Sequence, residues 1–505
     1  MLDAILKPHV KFSTPINRER ATKVGVNYAL LFFGCILFHV SGTWSIPLID
    51  RDEPRFAEAS REMIERGDYV VPHFNNQLRL DKPPFAYWAQ VASYRILGEN
   101  DFAARFPSAV AGALVALSIL AWGKRMGGNE VCWWAAIIFT LSLQTFIHAK
   151  AAVADMWLVL FMTTAHWAGY EIMQRAAVNW RWWFAFYLSL AFGFLAKGPI
   201  AWMPLLTIAA MKFFVRDVDV AKRFKFGRGI LLMLAIVALW GIPALIQTHG
   251  EFFRIGIGRH VVGRSFGAME GHGANSLAVY FLLLPFYVVT IFASFFPWSI
   301  KLPALAKKLW RDRNKSRLRA SDYDGRVDIY LLGGAAVIFV IFSLIKTKLP
   351  HYTLPAFPLL SLLLARHLID HREFLKRCAV AATSIYLVVA LFIAPTAGRF
   401  FPAAQLLRQT RDQLRPEMEF GAIGFQEPSL VWYFRSEVKG WMTPLNSASA
   451  SQFMQKDGPR FVVLPTTLVA KTFPNLLATW KSFSTRGLNI AKGKDVDLTL
   501  VLKPA

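Results

Sequence analysis

The sequence predicts a polytopic α-helical membrane protein that ends in a small α/β domain. Of its 505 residues, 55% are hydrophobic and only 18% are charged, and the mean hydropathy is +0.36. Apolar runs of about 20 residues, enough to cross roughly 30 Å of hydrocarbon, recur along most of the first four hundred positions. This composition excludes a soluble globular protein.

Hydropathy predicts about eleven to thirteen transmembrane helices, and short polar breaks divide the long apolar stretches 131–171 and 182–215. We therefore expect a membrane domain over residues 1–395. The predicted spans are 24–47, 107–123, 131–149, 156–171, 182–197, 198–215, 229–248, 276–299, 328–345, 354–369 and 379–395.

The orientation follows from Lys and Arg in the short loops, because basic loops stay on the cytoplasmic side. The N-terminal arm and every second loop after it are basic. The opposite, external face then collects the loop 48–106, the break at 151–155, the loop 250–275, the turn 346–353 and the C-terminal region. The first span reads as a retained signal anchor, so we expect a plasma or inner membrane protein.

The formal net charge is +24, which could indicate a nucleic-acid-binding protein. The basic residues lie in the predicted cytoplasmic loops, however, and the chain has no nucleic-acid-binding motif. Anionic lipid head groups are the expected partners of these loops, and no nucleic acid is expected.

After residue 395 the hydropathy falls and short β-rich runs alternate with helix-like pieces. The predicted strands are GAIGF, LVWYF, RFVVLP and VDLTLVLK, and the predicted helices are SASASQFMQ and TTLVAKTF. We expect a small extracytoplasmic α/β domain over residues 396–505 that caps the membrane part. Glu427 and Glu437 are expected to be ordinary surface carboxylates.

The segment 50–88 is a dense polar island directly after the first span. Its first half has apolar residues near helical spacing, so it predicts an interfacial helix whose charged residues Glu58, Arg61, Glu62 and Glu65 face away. A second interfacial helix should follow the Asp-Lys-Pro-Pro break, with Tyr87, Trp88 and Tyr94 at head-group level. Two surface helices would flank a groove in a catalytic loop.

Asp52 and Glu53 begin the first of these helices, where the helix dipole alone would favour carboxylates. Other charged residues on the same face favour a functional role. They are Asp155, Lys82, Lys197, Lys346, Lys348, Arg259, His260 and Arg264. Paired carboxylates with several cations suit a phosphate leaving group and an acceptor that needs a base.

Asp155 and the polar residues of the turn 346–353 could each have either a functional or a structural role. Asp155 is too short to reach water from within the membrane, so it should face a polar cavity or a structural partner. Lys346, Lys348, His351 and Tyr352 share one external turn, where they could bind a phosphate or anchor the chain at the interface.

Five motifs in order along the chain resemble the ArnT-like aminoarabinose transferases and, more broadly, the GT-C glycosyltransferases that include the protein O-mannosyltransferases. The first is RDEPRFAEASREMIERGDYVVPHFNNQLRLDKPPFAYW. The others are VADMWLVLFMT, FLAKGPIAWMPL, FFPWS and FSLIKTKLPHYTLPAFPLLSLLLA. The resemblance covers the whole membrane portion and implies a GT-C fold.

The resemblance implies transfer of a sugar from a polyprenyl phosphate carrier such as undecaprenyl phosphate, without a nucleotide sugar. The implied catalytic residues are Asp52, Glu53 and Asp155. The implied carrier-phosphate and substrate residues are Lys82, Arg55, Arg259, Arg264, Lys348 and Tyr352. No cofactor is expected to be required, and a divalent metal ion at Asp81 and His260 is left open, because Asp81 stands where the ArnT-like branch usually has Glu.

The acceptor also stays open at this point. Lipid A in the bacterial envelope, receiving a 4-amino-4-deoxy-L-arabinose type sugar at the periplasmic face, follows from the ArnT-like branch. A protein or another envelope glycan follows from the wider superfamily. A flippase or transporter of lipid-linked sugars is the alternative class, but the sequence lacks the internal repeat typical of transporters.

Overall fold

A helical membrane part and a small C-terminal β-sheet region make up the chain, so the predicted fold class is confirmed. The structure is a computed structural model that describes residues 18–175, 177–214, 219–263, 276–319, 323–474 and 477–504. The predicted domain boundary near residue 395 stays a prediction.

The α-helices of the membrane part follow the predicted spans closely, because long apolar runs can bury their backbone polar groups only by forming helices. They are Arg18–Val40, Asp52–Arg66, Phe85–Leu97, Asp101–Thr140, Leu143–His148, Asp155–Met173, Trp180–Lys197, Met203–Phe214, Val220–Phe224, Phe226–Gln247, Leu277–Leu282, Phe286–Ser294, Leu302–Arg319, Tyr323–Leu344, Phe357–Leu368 and Arg372–Val388. Short 3-10 or π-helical pieces join several of them, notably Phe253–Gly263 and Pro350–Ala356.

Four helical stretches among the described residues are long and apolar enough to cross a membrane. They are Asp101–Thr140, Val220–Gln247, Gly325–Leu344 and Pro350–Phe400, and shorter apolar helices occur at Gly25–Val40 and Pro199–Phe213. The protein is thus a multi-pass membrane protein. The total of eleven to thirteen spans stays a prediction.

The helix Asp101–Thr140 consists of two limbs, which correspond to the predicted spans 107–123 and 131–149. Gly127 and Gly128 between them have non-helical backbone angles, and Gly128 has a φ of 75°. A Cβ built on Gly123 would lie 3.0 Å from Cα of Cys132, so the limbs pack closely where the chain turns. The second limb ends at Thr140, earlier than predicted.

The polar segment 50–88 folds into two helices and a short hairpin. The helices are Asp52–Arg66 and Phe85–Leu97, as predicted, and the hairpin pairs strand β1 His73–Phe74 with strand β2 Gln77–Leu78. The prediction that Tyr87 and Tyr94 lie at head-group level is wrong, because both are buried. The Tyr94 hydroxyl donates to the Ala57 carbonyl at 3.2 Å and ties the second helix to the first.

The C-terminal region contains a mixed five-stranded sheet. In sequence order its strands are β3 Glu419–Ala422, β4 Met442–Pro444, β5 Arg460–Pro465, β6 Lys481–Asn489 and β7 Lys494–Lys503, and their spatial order is β4-β3-β5-β7-β6. β3 pairs in parallel with β4 and β5, whereas β7 runs antiparallel to β5 and β6. The helix Ser447–Gln455 was predicted at the same residues.

The prediction of a strand at LVWYF is wrong. These residues belong to the helix Pro428–Phe434, which Pro428 begins in the position where proline is favoured. Nearly all its side chains are buried, since it packs between the sheet and the helix Asp52–Arg66. A short helix that is covered on every side has no amphipathic period by which the sequence could reveal it.

Of the four charged residues predicted to face away from the helix Asp52–Arg66 into solvent, Glu65 is exposed, but the prediction is wrong for the other three. Glu58, Arg61 and Glu62 are buried, because the C-terminal region covers them. Arg435 forms ion pairs with Glu58 and, at 2.7 Å, with Glu65. Its guanidinium also lies 3.8 Å from the ring centre of Trp441. Complementary charge therefore fastens the two regions together.

Glu427 also departs from the prediction of an ordinary surface carboxylate. It is buried, accepts a hydrogen bond from Asn489 at 2.9 Å, and lies 3.5 Å from the ammonium of Lys492. Glu437 is half-buried and pairs with Arg411 at 3.0 Å.

Glu62 should make stability depend on pH. Burial, followed by the nearby Glu58 carboxylate, raises its pKa from 4.5 to about 7. The folded chain then binds this proton more tightly than the unfolded chain, so the stabilisation is complete below the unfolded pKa and is lost as pH rises through about 7. Between about pH 5 and about pH 8, the unfolding temperature of wild type should fall more than that of Glu62→Gln.

Thermal unfolding followed by tryptophan fluorescence measures this difference. Glu373→Gln, which changes an exposed carboxylate, is the matched control and should keep the wild-type slope. Equal slopes for wild type and Glu62→Gln would contradict the assignment.

Candidate active site

A buried ion pair joins the helix Asp52–Arg66 to the helix Asp101–Thr140. The Glu53 carboxylate accepts hydrogen bonds from Arg105 Nε at 2.9 Å and Nη2 at 2.7 Å, and both side chains are almost fully buried. Arg105 also donates to the backbone carbonyls of Thr43, Ile46 and Pro47. A guanidinium satisfied in this way can remain charged in the interior.

The same carboxylate holds two backbone segments. Glu53 accepts from the amide of Ile49 at 2.8 Å and from the amide of Ala152 at 2.7 Å. Asp52 is adjacent to Glu53 in the chain, and Asp155 follows Ala152 by three residues. Glu53 therefore connects the two segments that bear the other predicted carboxylates, and its own oxygens are fully engaged.

Asp155 and Lys197 meet where two helices end. Asp155 is the first residue of Asp155–Met173 and Lys197 is the last of Trp180–Lys197, positions in which the helix dipoles favour a negative and a positive charge respectively. Lys197 Nζ lies 2.5 Å from Asp155 Oδ1. Gly198, with a φ of 84°, stops the second helix directly after the lysine.

This ion pair lines a cavity of about 130 Å³. Lys82, His351 and Tyr352 provide its other polar walls, and apolar residues such as Leu158 and Phe342 provide the rest. Three of these residues, Lys82, Asp155 and Tyr352, are predicted site residues. The cavity thus brings together the Asp-Lys-Pro motif and the turn 346–353, which the sequence separates widely.

A second, larger and mostly apolar cavity of about 530 Å³ adjoins the first. Lys197 and Pro199 line both cavities. Trp240 and Phe252 are among the apolar walls of the second cavity, and Asp81 lies at its edge. The charged and hydrogen-bonding side chains are thus concentrated in the smaller cavity, and the larger cavity beside it is mostly apolar.

Asp52 is exposed at the start of its helix, and within the described part of the chain it has no ion-pair partner. It lies close enough to Arg79 to influence that guanidinium. The pKa of Arg79 is raised: burial acts in the opposite direction, and Asp81, Tyr87 and, more weakly, Asp52 outweigh it. Arg79 Nε lies 3.3 Å from Asp81 and donates to the Tyr87 hydroxyl at 2.8 Å. Asp52 therefore shares an electrostatic neighbourhood with Asp81, next to Lys82.

Lys348 is not among the residues that line the two cavities. It is buried, and its ammonium donates to the carbonyls of Phe342 at 3.0 Å and Ser343, near the end of the helix Tyr323–Leu344. Burial lowers its pKa to about 8. This lysine caps a helix, which is a structural role.

Four predicted site residues, which are three arginines and one histidine, line neither cavity or lie outside the described part of the chain. Arg55 is half-buried near Asp50, and Arg259 is exposed on the π-helical piece Phe253–Gly263. Arg264 and the side chain of His260 lie outside the described part of the chain.

A group of three side chains beside the first cavity could hold a metal ion. The ligand atoms of His148, Asp155 and His351 all lie within 4.8 Å of one another, and two imidazoles with a carboxylate suit Zn²⁺. Lys197 already contacts Asp155, however, so a metal ion would compete with its ammonium. Asp81, predicted as a metal ligand, is not a member of this group.

Neither Lys197 nor Arg105 is among the site residues predicted from the sequence. Snorkelling to the interface could have explained Lys197, and only its position one residue before Gly198-Pro199 hinted at a helix end beside a cavity. Arg105 lies at the start of an apolar span, where a lone arginine is costly unless it is paired. This cost indicates, from the sequence alone, that Arg105 has a buried acidic partner.

Comparison with known proteins finds similar sequences and a similar fold. Residues 81–242 match the family described as Dolichyl-phosphate-mannose-protein mannosyltransferase. Proteins named undecaprenyl phosphate-alpha-4-amino-4-deoxy-L-arabinose arabinosyl transferase are 29% identical in Edwardsiella ictaluri and 30% identical in Aeromonas salmonicida. The alignments cover 62% and 67% of this chain and 54% and 59% of those relatives, so the chain spans less than two thirds of their length.

The fold is shared along nearly the whole chain. ArnT from Cupriavidus metallidurans bound to undecaprenyl phosphate superposes with a TM-score of 0.74 at 19% identity, covering 95% of this chain and 98% of that one. The apo form of the same protein gives a TM-score of 0.70 at 20% identity, with the same coverage. The resemblance seen in the five motifs is confirmed, and the chain has the GT-C fold.

Arg105→Met should strongly destabilise the protein. Removing one partner of a buried ion pair leaves the other charge uncompensated, at a cost of about 3–5 kcal/mol. The unfolding temperature in detergent should fall clearly, whereas Arg95→Met, at an exposed arginine of the same loop, should change it little. An Arg105→Met protein as stable as wild type would contradict the role assigned to this pair.

Proposed function

We propose that this chain, a membrane protein with the fold of the ArnT-like glycosyltransferases, transfers a sugar from a polyprenyl phosphate carrier to an envelope acceptor. The reaction would take place on the periplasmic face of the bacterial inner membrane, with lipid A as the first acceptor to test. One observation carries the proposal: a small cavity whose walls include two lysines lies beside a larger, mostly apolar cavity.

A polyprenyl phosphate has the matching shape and polarity. Its phosphate requires cations and hydrogen-bond donors, and its isoprenoid chain requires an apolar surface. Lys82, Lys197 and Tyr352 would bind the phosphate, and the walls around Trp240 and Phe252 would receive the first isoprene units. Arg259 and Arg264 remain candidates for binding the carrier phosphate, whereas Lys348 is left out because it caps a helix.

The chemistry breaks the bond between the anomeric carbon and the phosphate oxygen and forms a bond from the same carbon to the acceptor oxygen. The departing polyprenyl phosphate takes the bonding electrons, and the lysine ammoniums stabilise its charge. Asp52, exposed and adjacent to the fixed Glu53, would orient or deprotonate the acceptor. Asp155 would hold Lys197 in place and contact the sugar.

Two groups of side chains are candidates for binding a metal ion. The His148, Asp155 and His351 group has suitable donor atoms, and an ion bound there would add positive charge near the carrier phosphate. The pair Asp81 and His260 is a weaker candidate, because Asp81 is paired with Arg79. The steps described above require only side chains of this protein.

Two other functions fit parts of the observations. The family match over residues 81–242 includes Lys82, Asp155 and Lys197, and it favours a protein acceptor as the second candidate. A flippase of lipid-linked sugars would also use an amphipathic cavity, but it would not need the carboxylate of Asp52.

Asp52→Asn should abolish transfer, because a general acid or base contributes about 10²–10⁴-fold to rate. The measurement is mass spectrometry of envelope lipids from host cells that carry wild type, Asp52→Asn or neither. A pentosamine- or hexose-sized mass increase on lipid A is expected with wild type alone. Asp412→Asn, which changes an exposed carboxylate of the C-terminal region, should behave like wild type.

Other outcomes separate the alternatives. A sugar on envelope proteins instead of lipid A would favour the protein mannosyltransferase type of reaction. No modification of any acceptor, with both proteins correctly inserted, would contradict the transferase proposal and favour the flippase.

A further inference from the structure

The segment that leads to Asp52 is bound by the C-terminal region. The Asp50 carboxylate accepts hydrogen bonds from Ser429, one from its backbone amide at 2.8 Å and one from its hydroxyl. The amide of Leu48 donates to the hydroxyl of Tyr433 at 2.7 Å. Ser429 and Tyr433 both belong to the helix Pro428–Phe434, so one short helix grips the backbone just before Asp52.

This helix is itself firmly held. Trp432 Nε1 and the Tyr433 hydroxyl donate to the two carboxylate oxygens of Asp101 at 2.7 and 2.8 Å. The Arg61 guanidinium lies 3.8 Å from the ring centre of Trp432 and donates to its carbonyl at 3.0 Å. The helix is therefore fixed to two separate helices, at Arg61 and at Asp101, and can act as a rigid support.

We propose that Ser429 is a positioning residue for the transfer reaction: through Asp50 it fixes the backbone that carries Asp52. This inference rests on the proposed function. Glu53 fixes the C-terminal side of Asp52 through Arg105, and Ser429 fixes its N-terminal side. With Asp50 and Glu53 both held, the backbone that carries Asp52 is fixed, although the Asp52 side chain is exposed.

The local charges agree with this role. Burial raises the pKa of Asp50 to about 6, whereas the two Ser429 hydrogen bonds lower it. Those bonds therefore favour the ionised carboxylate, which accepts them best. Glu427, next to the helix, lies 3.7 Å from the Arg51 guanidinium, so the residue between Asp50 and Asp52 is guided by the same part of the C-terminal region.

Ser429→Ala tests the proposal, because it removes the hydroxyl and keeps the helix. A misplacement of about 1 Å can lower the rate by about 10²-fold, so we expect a fall in kcat of about 10- to 100-fold. The KM for the carrier and the binding of undecaprenyl phosphate, followed by native mass spectrometry, should not change. Lys82→Ala is the contrasting variant, since it should weaken that binding.

Two matched variants complete the experiment. Ser429→Thr keeps a hydroxyl and should recover most of the activity. Ser436→Ala removes an exposed hydroxyl just beyond the same helix and should behave like wild type. An unchanged kcat in Ser429→Ala, or an equal loss of carrier binding, would overturn the positioning role.

Hydrogen exchange measured by mass spectrometry gives a readout that is independent of activity. In Ser429→Ala, peptides over residues 46–56 should exchange faster, while peptides of the sheet β3 to β7 stay protected. Unchanged exchange at 46–56 would overturn the proposal even if kcat fell. If wild type transfers no sugar, the proposed function fails, and exchange still decides whether Ser429 holds this segment.

Discussion

The buried pair of Glu53 and Arg105 is the constraint on which the rest of the site depends. Two carboxylate oxygens accept four hydrogen bonds, and one guanidinium satisfies three carbonyls at the end of the first membrane helix. Such a pair is costly to desolvate, and it persists because every donor and acceptor is used. Its consequence is geometric: the chain before Asp52 and the chain before Asp155 are held by the same carboxylate.

Because of this constraint, neighbouring charged residues have different environments and different contacts. Glu53 is fully engaged in hydrogen bonds within the fold, whereas the neighbouring Asp52 is exposed. Asp155 neutralises and orients Lys197, which lines both cavities. The C-terminal region completes the arrangement from the other side, since it buries the charged face of the helix Asp52–Arg66 and binds Asp50.

Hydropathy and charge predicted much of the fold, because the bilayer leaves the backbone few alternatives. The paired helices of the segment 50–88 and the helix Ser447–Gln455 also followed from local patterns. Contacts between distant parts of the chain did not: Glu58 and Glu62 read as solvent-facing because Arg435 lies far away in the sequence. Of the predicted site residues, Lys82, Asp155 and Tyr352 meet at one cavity. Lys348 instead donates to carbonyls at the end of a helix. The sequence does not show in which direction a lysine ammonium points, so it could not separate these two cases.

An experimental map of the full chain in lipid nanodiscs with added undecaprenyl phosphate would show directly where the carrier binds. We expect phosphate density within hydrogen-bond distance of Lys82 and Lys197, and isoprenoid density that continues along Trp240 and Phe252. The Glu53 to Arg105 pair should be intact beside it. Phosphate density away from both lysines, or an empty chamber with the carrier bound elsewhere, would contradict it.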